Sequence, residues 1–135
     1  MANIRGAGPR EKRILGIGLK LVPEKCSTWE PAADVFLTEN TVVVILDLAG
    51  ISTNDVEVTY AGGCILVRGY RKHPTEEKGP KSFIRMEIPH GFFEREFPLP
   101  VQCNEDSLEA AYHNGLLVIT AQVKPSSKRK DIPVR

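Results

Sequence analysis

The side chains able to titrate or react near neutral pH are few, and their spacing decides what chemistry they could perform. Three histidines, His73, His90 and His113, are candidates for general-base or metal-binding roles. None stands four residues from another histidine or from a cysteine, the spacing that would turn two ligands toward one ion. They read as separate surface-loop histidines. The three cysteines, Cys26, Cys64 and Cys103, show no metal-ligand spacing and read as reduced thiols. Glycines 6, 8, 16 and 18 lack the Lys-Ser or Lys-Thr that completes a phosphate-binding loop. No GxSxG or HExxH motif occurs, and Glu76, Glu77, Glu94 and Glu96 read as solvated surface acids. On these residues the chain is not an enzyme and calls for no cofactor and no metal.

Two other features point to contacts rather than catalysis. Arg95 alternates in register with Phe93 and Phe97, so it faces the way those rings face. Its planar fork suits either a stem laid on apolar surface or an ion pair across an interface, and the interface is the preferred reading. The chain also ends in DIPVR, directly after the polar run KPSSKRK. An exposed Ile132 and Val134 held either side of Pro133 gain nothing from water, so this tail is built to dock.

Composition bounds the partners. The 135 residues, 41% hydrophobic and 26% charged with net charge +1, make one small domain with room for one core. That balance argues against nucleic acid, which would need a basic surplus on one face, and against a membrane surface. Lys128, Arg129 and Lys130 are a short solvated run. The apolar stretch ILGIGL, residues 14–19, is cut by Lys20 and reads as neither a signal peptide nor a spanning helix, so a cytoplasmic location is expected.

From Trp29 onward the pattern is β. DVFLT (34–38), VVVILDL (42–48), VEVTY (56–60), CILVRGY (64–70), FFEREFPL (92–99), SLEAAY (107–112) and LLVITAQV (116–123) are β-branched, aliphatic or aromatic runs. VVVILDL is apolar on both faces and predicts a central, well-covered strand. Ala61-Gly62-Gly63 and His113-Asn114-Gly115 predict hairpins. HPTEEKGPKS (73–82) is a long exposed loop, and SFIRMEI (82–88) behind it has strand character. Seven or eight short strands predict an all-β, immunoglobulin-like β-sandwich. Residues 1–28 form an arm outside the core, 29–123 the domain and 124–135 a flexible tail.

In order, WEPAADVFLTENTVVVILDLAG, GCILVRGYR, GFFEREFPLP, AAYHNGLLVI and the terminal IPV resemble the small heat-shock proteins, the α-crystallin family, in its bacterial and plant type. The most specific piece is AAYHNGLL, residues 110–117, which fits the family's A-x-x-x-N-G-x-L signature. DLAG stands where DLPG is usual, so Ala49 replaces a proline. The resemblance implies that Ile132, Pro133 and Val134 dock into a neighbouring subunit's groove between two edge strands. Strand alternation nominates Val56, Val58, Leu108 and Ala110 as its lining. Burying Ile132 and Val134 would be worth about 1.5–3 kcal/mol each before ordering costs. The stretch 124–131 spans up to ~25 Å, enough to reach another subunit.

The resemblance further implies a dimer formed by swapping a short strand within Ser82–Arg85, with Phe83 or Ile84 packed on the partner and Arg85 and Arg95 near the interface. An arm carrying Ile14, Leu15, Ile17, Leu19 and Leu21 would contact unfolded client proteins. The expected activity is an ATP-independent holdase working as a larger homo-oligomer of dimers. A CS-domain-like co-chaperone adaptor shares the sandwich but would lack both the terminal motif and the swap-length loop. A small enzyme on a sandwich is a third, remote class.

Overall fold

The computed structural model describes the backbone of Ala2–Asn3 and Lys12–Leu15, and residues 29–79 and 81–125 in full. In chain order the strands are β1 (Ala2–Asn3), β2 (Lys12–Leu15), β3 (Ala33–Leu37), β4 (Thr41–Asp47), β5 (Val56–Ala61), β6 (Cys64–Arg71), β7 (Gly91–Pro98), β8 (Glu109–His113) and β9 (Leu116–Gln122). They form two antiparallel sheets, β1-β8-β9-β4-β3 and β2-β5-β6-β7, packed face to face. The all-β sandwich expected from the strand pattern is the fold.

Period-2 alternation explains the core. Val42, Val44 and Leu46 of β4 and Leu117 and Ile119 of β9 point inward from one sheet; Val58, Ile65, Val67 and Phe93 answer from the other, all fully buried. Val43 and Ile45, on the opposite face of β4, are only half-buried. The strand is central, but a two-layer sandwich leaves its outer face without a layer above it, so the expectation of cover on both faces fails. Trp29 closes one end of the core, meeting Phe93 edge-on at 5.3 Å and donating its indole N–H to the Gly91 carbonyl at 3.0 Å.

Both predicted hairpins form. Asn114 (φ 53°) and Gly115 (φ 81°) supply the two left-handed residues that a tight β8–β9 turn requires, and Gly62 and Gly63 do the same between β5 and β6. Gly69 has a different reason to be glycine. A Cβ there would collide with the Asp55 backbone carbonyl and lie 2.8 Å from Phe93 Cζ. Gly69→Ala is therefore expected to cost about 1–3 kcal/mol. In urea unfolding the midpoint should fall with the slope unchanged, and an unshifted midpoint would mean that β6 slides at no cost.

The arm departs from expectation. Rather than standing apart from the sandwich, β1 and β2 add one short strand to each sheet. The rest of residues 1–28, including Ile17, Leu19, Leu21 and Cys26, lies outside the described residues, as does the tail from 126 with Ile132, Pro133 and Val134.

Candidate functional site

A β-sheet ends where a strand has backbone N–H and C=O groups with no ladder partner, and such edges are natural docking sites. On one side of the sandwich β5 and β8 would be the edges, but each carries a strand of the arm. In β2, Lys12 lies opposite Tyr60, Arg13 opposite Thr59 and Leu15 opposite Val58, with an irregularity before Leu15; β2 also lies against β8. In β1, Ala2 lies opposite Tyr112 and Asn3 opposite Ala111. Ile14 and Leu15, nominated for client contact, thus belong by backbone to an edge strand. The nominated groove residues Val56, Val58, Leu108 and Ala110 are together on this side and fully buried in the core between the sheets.

The other side is open. Among the described residues β3 pairs with β4 and no other strand, and Val35, Phe36 and Leu37 on it are about half exposed. Close-packed interiors normally claim such residues, so an apolar edge strand is a surface awaiting a partner. The segment nominated for the swap carries the second apolar cluster: Phe83, Met86 and Ile88 are exposed, and Ile84 is 104% exposed. The expected strand over 82–88 does not form: among the described residues the segment pairs with no strand, neither the β3 nor the β7 edge, and a lone strand has no hydrogen bonds to hold it. Among the described residues Arg85 pairs with Glu87, at 3.6 Å, in an exposed pair too weak to fix the segment.

Arg95 is engaged within its own chain. It donates to the Pro31 carbonyl at 2.8 Å and lies 5.1 Å over the Phe97 ring. This tie between β7 and the segment before β3 is the stem-on-apolar-surface arrangement with one added bond. The sequence reading also missed Glu57, buried on the outer face of β5 and paired with Arg68 at 3.3 Å. Their directly opposed positions in β5 and β6 were the available signal.

The loop between β6 and β7 holds the other surprise. Register Arg71↔Gly91 brings its two ends together, so His73 and His90 lie against each other, ring centroids 4.2 Å apart and planes tilted by 51°. They are not separate surface histidines. Each flanks a loop joining adjacent antiparallel strands, and that is the clue by which sequence could have paired them. His73 also meets Phe83 edge-on at 5.2 Å. Arg71 clamps the return, donating through Nε and Nη2 to the Pro89 carbonyl at 3.1 and 2.6 Å and through Nη1 to the Ala49 carbonyl at 3.2 Å. Its guanidinium lies 4.2 Å over Trp29. A cavity of about 450 Å³ opens here, lined by Ala49, Arg71, His73, Ile88 and His90 among others. Burial, then the neighbouring His73 and Arg71, hold the His90 imidazole below its ordinary value.

Among the described residues no group of three or more His, Cys, Asp or Glu side chains could hold a metal ion. Cys64 and Cys103 are free thiols, and burial pushes both up, away from the reactive thiolate. No helix among the described residues is long and apolar enough to cross a membrane. These surfaces are suited to binding chains.

Comparison with known proteins agrees with the architecture. The model of the Hsp20/alpha crystallin family matches residues 34–135. A 17.3 kDa class II heat shock protein of Solanum peruvianum is 36% identical over 99 residues, which cover 73% of this chain and 63% of that relative. The chain thus spans under two thirds of that relative's length. Heat shock protein 16.0 from Schizosaccharomyces pombe superposes with TM-score 0.68 at 28% identity, over 79% of this chain and 99% of that one. The hspA structure from Xanthomonas axonopodis gives TM-score 0.65 at 33% identity, over 73% of this chain and 98% of that one.

Proposed function

The chain belongs to the Hsp20/alpha crystallin family, and from that premise we propose that it is an ATP-independent holdase of the cytoplasm that assembles from dimers into a larger homo-oligomer. Membership supports a chaperone role; the holdase activity, the assembly and the location are the finer reading. The observation that carries it is the pair of unpartnered apolar elements in one chain, the open edge of β3 and the exposed segment holding Phe83 and Ile84. Each supplies what the other lacks. A segment extended across to a second copy gains a ladder along β3 and buries its side chains against Val35 and Leu37, and two-fold symmetry repeats the exchange.

In this reading residues 29–123 form the dimerising domain, and the tail 124–135 links dimers by docking Ile132 and Val134 on the side where β5 and β8 lie. The arm, residues 1–28, is the client-binding segment. Partly unfolded proteins present the same chemistry as the docking segments, extended backbone with spaced apolar side chains. They would therefore compete for the same edges, and no bond is made or broken.

The test is the light scattering of a thermolabile enzyme heated with the chain, with and without ATP. The expected result is suppression at about one subunit per client or a few, indifferent to nucleotide. Scattering that rises as fast as with an inert control protein would remove the holdase reading.

A further inference from the structure

The loop that offers the dimerising segment is closed at its base by two histidines, and their environment makes that closure sensitive to protons. We propose that His73 and His90 form a pH-responsive neck, which holds loop 72–90 pinched while both imidazoles are neutral and lets it splay in mild acid, detaching the dimer. The part concerning detachment rests on the dimer reading above.

Geometry carries the argument. His73 Nδ1 accepts the Thr75 backbone N–H at 3.0 Å and lies 2.6 Å from the Thr75 hydroxyl. A proton on that nitrogen forfeits the backbone bond, because a donor would then face a donor. The ring of His90 lies 4.2 Å away, so protonation of both places two cations in contact. The groups facing the pair relieve this only in part: the Thr75 hydroxyl can turn to accept from a protonated Nδ1, and Glu76 favours the charged His90 but is outweighed by burial, His73 and Arg71. β6 contributes Arg71, and Lys72 lines the same cavity. The return of the loop and the Ala49–Gly50 turn bring Ile88, Pro89, Ala49 and Gly50, all uncharged. Lys81 donates to the Thr75 carbonyl at 2.9 Å. The opposing charge is Glu76, which is held by the Tyr70 hydroxyl at 2.7 Å. Phe83, packed on His73, couples the neck to the dimerising segment.

The sign follows. His90 lies below its ordinary value of 6.5 when the loop is closed, so the open loop binds protons more readily. Closure is complete above that value and is lost as pH falls below it toward the depressed one.

The experiment follows intact chain from about pH 7.5 to 5.5 by amide exchange, corrected for intrinsic rates, and by light-scattering mass. Amides 75, 76 and 78, bonded within the loop, report the neck; mass reports the dimer. Wild type should lose protection at these amides about tenfold and lose mass together. His90→Phe, which keeps a ring but cannot be protonated, and His73→Gln, which keeps an acceptor for Thr75, should flatten both curves. Equal protection at both pH values, or the same loss in both variants, overturns the neck. A wild type already monomeric at the higher pH overturns the dimer reading instead, while the same amides still decide the neck.

Discussion

Alanine at both Ile132 and Val134 is expected to collapse the assembly to dimers. A docked tail would bury two aliphatic side chains, about 1.5–3 kcal/mol apiece before the cost of ordering the tail, so one contact would be weak. In the proposed closed shell many such contacts would act at once, and each dimer would be held by several tails at high effective concentration. Removing both side chains from every tail would therefore remove the whole linkage, while the β3 edge and the loop proposed to form the dimer are untouched. β2 already pairs the β5 edge, so a tail docking there competes with the arm for one row of backbone groups. The check is solution mass by light scattering on a sizing column, wild type beside variant. A large particle reduced to dimers supports tail docking; the same large particle in both places the linkage elsewhere.

Ile84→Asp should abolish the dimer while leaving the subunit as stable as before. Among the described residues nothing shields Ile84 from water, so its replacement should shift unfolding by no more than about 0.5 kcal/mol. In the dimer each copy would lose an aliphatic contact and gain a charge with no partner. Across two symmetric sites this comes to about 3 kcal/mol or more, over ~100-fold in the dimer Kd. Sedimentation equilibrium against protein concentration measures the second effect and urea unfolding the first. A variant that still dimerises with wild-type affinity would show that the segment around Ile84 is not the swapped element. A variant that loses stability as well would show that Ile84 packs within its own subunit.

Much of the molecule was legible because the signals are local. The β-branched and aliphatic runs in TVVVILD and CILVRGY announce strands without reference to any neighbour, although the unbroken apolar run of the first announced cover on both faces and only one is buried. Asn114-Gly115 announces its hairpin because left-handed φ is a property of the residue pair itself. The five ordered segments from Trp29 to Val134 carry the family.

What tertiary structure alone decided involves partners distant in sequence. Residues 82–88 have strand-forming side chains but no strand, since a strand is half of a hydrogen-bonded pair and among the described residues this segment lies along no other strand. Arg95 carried a composition-level case for an interface, yet the β7 register sets it against the Pro31 carbonyl. His73 and His90, seventeen positions apart, become neighbours only through the pairing of β6 with β7. Periodicity reports which face of an element is apolar; which faces and edges meet is set by long-range register. That register is where the closed loop base, the covered edges of β5 and β8 and the open edge of β3 were determined.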